Sequence, residues 1–449
     1  MRRPQNGPVQ VPWRKPRREL LLLTLVAAAA LSPIYIVSSQ DVSRLCLTRS
    51  LLAGHLTIGS CADHTFDRAS FDGRTYSDKA PGESVLAIPA VAVTSLPAAS
   101  RWPATRDVRL WLIRLLTGGA AFVLLAAMVG RVAEGVAPGR GGLTIVALAL
   151  GTIVGAMAAT TFGHVTAGAL GFAAFVAAWR RWWVAAGLLA GCAILVTYEA
   201  AIIAAVLAAY VAARGLKPLA RYLIATLPAG AILAAYDEAA FGSPLHLSYR
   251  YVANRFARSQ ASGVFGVTTP HWHTVARVLF DDRGLFVTSP LLLAAVVGLG
   301  LLWRTHRAEA AVCAAVTLGF VVLEFGYFLP YGGTSPGPRF LIPALPFLAI
   351  GVAPALTRFP RTVTLLIGAS LVAGVTTELT WSLSGTKDQH ETVWTELLRA
   401  VDGNAHHLHK TLASNVLSLA GVSTLLAAAL VAITAGAAFV AAITAPTVD

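Results

Sequence analysis

Apolar runs of roughly 15–25 residues recur from one end of the chain to the other, separated by short polar segments. That length is what a helix needs to cross about 30 Å of hydrocarbon. Strands of a membrane barrel would be shorter and would alternate, so a barrel is set aside. The polar breaks carry a second pattern, since Lys and Arg fall in small clusters: six before residue 20 (Arg2, Arg3, Arg14, Lys15, Arg17, Arg18), then Arg131/Arg140, Arg180/Arg181, Arg214/Lys217/Arg221, Arg304/Arg307 and Arg358/Arg361. Placing every cluster on the cytoplasmic side with an even number of crossings between neighbours gives one consistent topology. It predicts spans near 20–38, 109–130, 142–158, 165–179, 183–197, 199–213, 221–240, 285–303, 311–329, 340–356, 362–381 and 413–441, about twelve in all, with both termini inside. The basic segment 1–19 is a cytoplasmic N-terminus followed by a retained first helix, because no small-x-small cleavage site follows Pro33. The pair of spans around Tyr198 requires two helices to stop near the outer interface with little loop between them.

Composition agrees with this pattern. The 449 residues are 56% hydrophobic and 13% charged, and the mean hydropathy is +0.66. A soluble protein of this size needs a more charged surface. The net charge of +13 is distributed as topology signals rather than as a face for nucleic acid. The expected class is therefore an all-α polytopic membrane protein in a cell membrane.

The topology concentrates polar chemistry on the outer face, in segments 39–108, 241–284, 330–339 and 382–412, while the inner loops are short and basic. The first outer segment is the longest. It opens SSQDVSRLCLTRSLLAGH, read as a short helix along the membrane surface, with Asp41 and Arg44 three residues apart and so on one helical face. FDGRTYSDKAPG follows, packing Asp72, Arg74, Tyr76, Asp78 and Lys79 into eight residues before a Pro/Gly stop. ESVLAIPAVAVTSL then re-enters or skims the bilayer, broken by Pro89. Cys46 and Cys61 share this segment, where a disulfide is chemically permitted; the sequence leaves its formation open. Cys192 and Cys313 lie in apolar runs as packing residues.

The second outer segment interleaves Arg250, Arg255 and Arg258 with Tyr249, Tyr251 and Phe256 and leads to His271-Trp272-His273 and Asp281-Asp282-Arg283, the last read as a helix cap. His271-x-His273 has metal-compatible spacing, but such pairs are more often surface polar content. The third segment places Arg339 at the mouth of a span, as an anionic-ligand contact or a snorkelling anchor. Glu199 and Glu324 are intramembrane acids and so functional candidates, and Asp237 and Glu238 are candidates for hydrogen bonds to a sugar. The fourth segment, with Lys387, Asp388, His390, Glu391 and His406/His407/His409, shows no assignable pattern.

Asp41-x-x-Arg44, then Tyr76-Ser77-Asp78-Lys79-Ala80-Pro81, resembles in order and spacing the first-loop motifs of the GT-C membrane glycosyltransferases, in particular bacterial aminoarabinose and mannosyl transferases. Tyr236 with Phe241-Gly242-Ser243-Pro244, Arg283-Gly284-Leu285-Phe286 with Ser289-Pro290, and Gly337-Pro338-Arg339-Phe340 with Pro343 extend the likeness over about residues 20–356, leaving 357–449 as C-terminal helices with their own outer loop. Many relatives carry two adjacent acids at the start of the loop, whereas Val42 follows Asp41 here. The resemblance implies an inverting transfer of a sugar from a polyprenyl-phosphate donor to an envelope glycan, a glycolipid or a protein on the outer face. Asp41 would then be the general base, with Arg44, Tyr76, Asp78, Lys79, Arg250 and Arg339 around the phosphate. It leaves room for a divalent metal on Asp78 without requiring one. The rival reading is a transporter or flippase of a lipid-linked sugar. Against it, no repeat relates the two halves and no Gly-broken helices occupy matching positions. A noncatalytic scaffold, the third reading, would leave Asp41 and Lys79 individually replaceable.

Overall fold

The structure, a computed structural model, describes residues 16–35, 37–95, 105–333, 335–384 and 414–444. The basic residues before Pro16 and the polar residues of the fourth outer segment from Lys387 to His409 lie outside these.

The chain is a bundle of apolar helices capped at one end by a small polar layer. Among the described residues, five helices are long and apolar enough to cross a membrane: Val108–Val136, Leu216–Phe241, Arg307–Gly326, Pro360–Thr380 and Thr424–Ile443. Two bent pairs, Trp272–Thr288 with Leu291–Leu302 (84°) and Arg339–Ala349 with Val352–Arg358 (48°), raise the count to seven. The twelve expected spans are thus not reproduced one for one, because several of the apolar runs are short or broken. The runs at 165–179, 183–197 and 199–213 become helices of 10–17 residues, and the first run becomes α1 (Pro16–Leu31). The run at 142–158 is interrupted at Gly151-Thr152. There the Thr152 hydroxyl donates to Leu148 O at 2.6 Å and accepts from Val154 N at 3.3 Å, ending one helix and capping the next. Pro290 stands at the 84° break, where it has no N–H to continue the preceding helix.

Small residues let the helices approach closely. Gly187 and Gly191 on the helix Trp183–Val196 meet the backbone and Ala side chains of Leu216–Phe241, where a Cβ on Gly191 would stand 2.7 Å from Ala229 Cβ. The core is one large apolar cluster running through nearly all the helices. Strand β1 (Pro33–Ile34), just after α1, pairs antiparallel with β4 (Ser414–Asn415), just before the last helix Thr424–Ile443, and that helix packs along α1. Val416 N donates to Ser32 O at 2.9 Å, Asn415 Nδ2 to Ser32 Oγ at 3.1 Å, and Arg18 reaches the carbonyl of Ala441.

The polar layer is built on α2 (Ser39–Leu52), which continues directly from β1. Below it the hairpin β2 (Arg68–Phe71) and β3 (Arg74–Ser77) turns at Asp72-Gly73, both with positive φ (48° and 69°). This is the two-residue turn that Asp-Gly favours, because both central positions need left-handed backbone. Cys46 and Cys61 are disulfide-bonded, with Cα atoms 6.1 Å apart, tying α2 to the segment before the hairpin. The stretch after Gly82 forms the short helices Gly82–Leu86 and Ile88–Thr94.

Candidate functional site

The N-terminus of α2 gathers the first outer segment around itself. Ser39 Oγ accepts from the backbone N–H of Phe66 (2.8 Å) and of Asp67 (3.0 Å), and Ser43 Oγ lies 2.7 Å from Ser77 Oγ. Thr48 donates to Ser84 O at 2.9 Å, and Ser84 donates to Arg44 O at 3.0 Å. Gly82 then lies against the end of the helix Trp183–Val196, so close that a Cβ there would stand 2.7 Å from Val196 N. These bonds set Asp67, Asp78 and Lys79 on one side of α2. Lys79 Nζ donates to Asp67 Oδ1 at 2.8 Å and lies 3.1 and 3.2 Å from the two Asp78 oxygens.

Charges converge on this point from other elements. Arg339 is buried, with its guanidinium 5.2 Å from the Phe162 ring and 5.4 Å from the Phe340 ring. With its amide oxygen turned toward that guanidinium, Gln40 accepts from both terminal nitrogens at 3.0 and 3.1 Å. Arg44 donates to Ala80 O (3.3 Å) and Phe162 O (3.0 Å). Next to it Gly163 has φ +83°, and a Cβ would stand 3.2 Å from Arg44 Nη2, so a glycine is required both for the backbone and for the arginine. His164 follows, its Nδ1 3.2 Å from Glu199 Oε1 and its ring edge-to-face with Phe340 at 5.4 Å. Tyr198 stacks edge-on against Tyr249 and shares a hydroxyl contact with Ser248, which itself donates to Asp78 O at 2.8 Å.

The electrostatics follow from burial and pairing. Burial pushes the Asp78 carboxyl up to about 6; the nearby Asp67 charge adds to that and Lys79 opposes it. Burial works the same way on Asp67, but the Lys79 ammonium outweighs it and holds the carboxyl below the usual range. Lys79 itself is raised, since its two acid partners overcome the cost of burying its charge. Glu83, buried next to Arg44, is pushed up by desolvation.

Asp41 does not pair with Arg44. The helical register does put both on α2, but the Asp41 carboxylate turns inward and takes Arg114 Nη2 at 2.7 Å, while Arg44 goes to the two carbonyls above. Asp41 also closes a capping box with Ser38 and accepts from the Thr161 hydroxyl (2.6 Å) and N–H (3.2 Å). With the 3.4 Å contact from Arg114 Nε, six donors surround a carboxylate that is 0% exposed. Burial raises its carboxyl, and Arg114 with the Thr161 and Ser38 hydrogen bonds more than offsets this, holding it below the usual range.

The remaining sequence candidates spread outward. Tyr76 points to the face of β3 opposite Ser77 and packs at 5.3 Å on Phe241, within an aromatic group that includes Phe71 and Tyr251. It also lines a shallow bowl of about 560 Å³ with His55, Arg74 and Ala239. Arg250 is exposed on the turn Ser248–Tyr251. Asp281 and Asp282 do not cap the following helix, whose N-cap is Gly284; Asp281 instead binds Tyr331 (3.0 Å) and Arg277 (3.3 Å) one turn back. His271 and His273 are both exposed. No group of three or more metal-ligating side chains occurs among the described residues. Asp78 shares the Lys79 ammonium with Asp67, so its carboxylate is engaged by a cation of the chain itself.

Sequence reasoning passed over Gln40, Asp67, Arg114, Thr161 and His164. Arg114 and His164 carried a usable signal, because each stands inside an otherwise apolar run where an ionisable group requires a partner.

This arrangement of helices beneath a first-loop polar layer is similar to the fold of the solved structures of ArnT and of an archaeal oligosaccharyltransferase. The aminoarabinose transferase ArnT from Cupriavidus metallidurans bound to undecaprenyl phosphate superposes with a TM-score of 0.53 at 14% identity, over 94% of this chain and 75% of that one. Its apo form gives 0.52 at 14% identity, over 95% and 75%. The Archaeoglobus fulgidus oligosaccharyltransferase in its apo form gives 0.52 at 12% identity, over 97% of this chain and 57% of that one. No protein-family model matches the sequence, and no curated protein matches it.

Proposed function

We propose that the protein is a membrane glycosyltransferase that moves a sugar from a polyprenyl-phosphate donor to an envelope glycan, glycolipid or protein on the outer face of the membrane, with inversion at the anomeric carbon. The observation that carries this reading is the convergence of Arg44, Lys79 and Arg339, each under a tenth exposed, at the polar end of the helix bundle. Cations are kept buried at such a position where an anion is to be met. In this reading Lys79 and Arg339 take the phosphate and stabilise the negative charge that grows on it as the glycosidic bond breaks. Arg44 holds the Ala80 and Phe162 carbonyls and so fixes the Lys79 loop. Asp78, with its raised carboxyl, tunes how firmly Lys79 is held. Tyr76 and the exposed Arg250 stand at the rim, where the acceptor and lipid headgroups arrive. Asp41, enclosed by six donors, serves as the fixed anion that positions Arg114 and the start of α2.

The test is transfer of radiolabelled sugar from a panel of polyprenyl-phosphate donors to membrane acceptors by the purified protein in lipid. The reading expects wild type to transfer from at least one donor, and expects Lys79→Met and Arg339→Gln each to weaken binding of undecaprenyl phosphate at least tenfold. Labelled lipid crossing the bilayer with no donor consumed would make the protein a transporter instead.

A further inference from the structure

His164 is a titratable group that the phosphate contacts leave unused. It is 3% exposed, at the start of the helix His164–Trp179, and it stands beside the proposed phosphate residues rather than away from them. The same two rings bracket both groups: Phe162 and Phe340 flank the Arg339 guanidinium, and they stand 6.5 and 5.4 Å from the imidazole. Glu199, presented by the turn Tyr198–Ala200, lies 3.2 Å from Nδ1. Both ring nitrogens are buried and neither makes a hydrogen bond, so Nδ1 meets Glu199 by distance and charge alone and Nε2 has no partner. A carboxylate this near one ring nitrogen favours the tautomer with its proton there and the lone pair on the other nitrogen. Asp41 is equally buried, but its oxygens already accept from Ser38, Arg114 and Thr161 and its carboxyl is lowered, which makes it a weak base.

Resting on the glycosyltransferase reading, we infer that His164, oriented by Glu199, is the general base of the transfer. The acceptor hydroxyl gives its proton to Nε2 as its oxygen forms the new bond to the anomeric carbon. The bond from that carbon to the phosphate oxygen breaks, and its electron pair leaves on the polyprenyl phosphate held by Lys79 and Arg339. The imidazolium, steadied by Glu199, then returns the proton to solvent or to the departing phosphate. Glu199 acts through His164 and is a positioning residue. Burial disfavours the charged imidazole most; the Glu199 carboxylate favours it, and Arg339 from the turn Arg339–Ala344 and Arg44 from α2 oppose it. Glu324, on the helix Arg307–Gly326, faces Arg339 and Glu199.

The experiment compares wild type, His164→Gln and Glu199→Gln in lipid, using a sugar donor that wild type turns over, with pH–rate profiles. Binding of radiolabelled undecaprenyl phosphate and the thermal midpoint are measured on the same samples. Expected for His164→Gln is a fall in kcat of about 10²–10³-fold, the usual worth of a positioned base, with probe binding and midpoint kept and the acidic limb of the profile lost. Expected for Glu199→Gln is a fall of roughly tenfold with that limb displaced rather than removed. A His164→Gln enzyme with wild-type kcat and an unchanged limb overturns the assignment and leaves the glycosyltransferase reading standing. Loss of probe binding and midpoint together with kcat makes His164 a structural residue and overturns it as well. If wild type binds undecaprenyl phosphate but consumes no donor, the glycosyltransferase reading falls and takes this assignment with it.

Discussion

Replacing Asp41 by Ala separates a structural anion from a catalytic one. The substitution removes a carboxylate whose two oxygens accept from Ser38, Arg114 and Thr161, and it leaves the Arg114 guanidinium, 1% exposed, without its 2.7 Å counter-ion. Arg114 keeps its bond to Tyr35 O at 2.7 Å, which offsets only part of the loss. Breaking a buried ion pair from one side costs about 3–5 kcal/mol. Unfolding entropy of about 2.1 cal/mol/K per residue over 449 residues gives about 0.9 kcal/mol/K, so the midpoint should fall by roughly 3–5 °C. The assay is the fraction of protein that stays monodisperse by size exclusion after stepwise heating in detergent. Replacing both partners, Asp41→Leu with Arg114→Met, should recover most of the midpoint, because an apolar pair of similar volume incurs no desolvation cost. An Asp41→Asn enzyme that melts within about 1 °C of wild type yet transfers no sugar would refute this reasoning. The carboxylate would then act on the substrate, and the ion pair with Arg114 would be incidental.

Asp78→Asn should flatten the stability profile between about pH 4 and 6. The folded carboxyl, raised to about 6, holds a proton there that the unfolded chain has released, so wild-type stability falls as pH rises through that window, and melting at stepped pH reads the slope. Cys46→Ser opens a bridge between residues 15 apart, and a loop of that size carries about 3 kcal/mol in the chain-entropy account. A lowered midpoint that reductant produces in wild type, and does not lower further in the variant, confirms it. Gly163→Ala places a Cβ 3.2 Å from Arg44 Nη2 on a backbone with φ +83°. It should cost about 1 kcal/mol or more and lower the transfer rate, whereas Gly54→Ala, with no neighbour within 4 Å, should carry only the backbone cost.

Much of the polar layer was legible because its residues are close in sequence. Asp78-Lys79 before Pro81-Gly82 reads as a held loop, whereas the hairpin turning at Asp72-Gly73 was not anticipated. What could not be read was partnership over distance. Arg44 follows Asp41 by one helical turn, yet the partner of Asp41 is 73 residues away in a helix that the sequence marks only as apolar. Asp67 carries no local motif, and its place comes from Ser39, which fixes its backbone, and Lys79, which meets its side chain. The expected spans are not matched one for one for a related reason. Hydropathy records that 142–158 is apolar, but not that the Thr152 hydroxyl bonds back to Leu148 and stops the helix there.

The pairing of Pro33–Ile34 with Ser414–Asn415 also sets an order of assembly. α1 emerges from the ribosome first, but the strand that follows it and the helix that lies along it come from the far end of the chain, almost 400 residues later. Contacts of such separation form late, because a long loop must close before they contribute. Asp41 begins seven residues beyond Ile34, on the segment this pairing secures. A nascent chain with its central helices inserted already holds Asp41 through Arg114 and Thr161, and the pairing with Ser414–Asn415 adds a later tie to the segment ahead of α2.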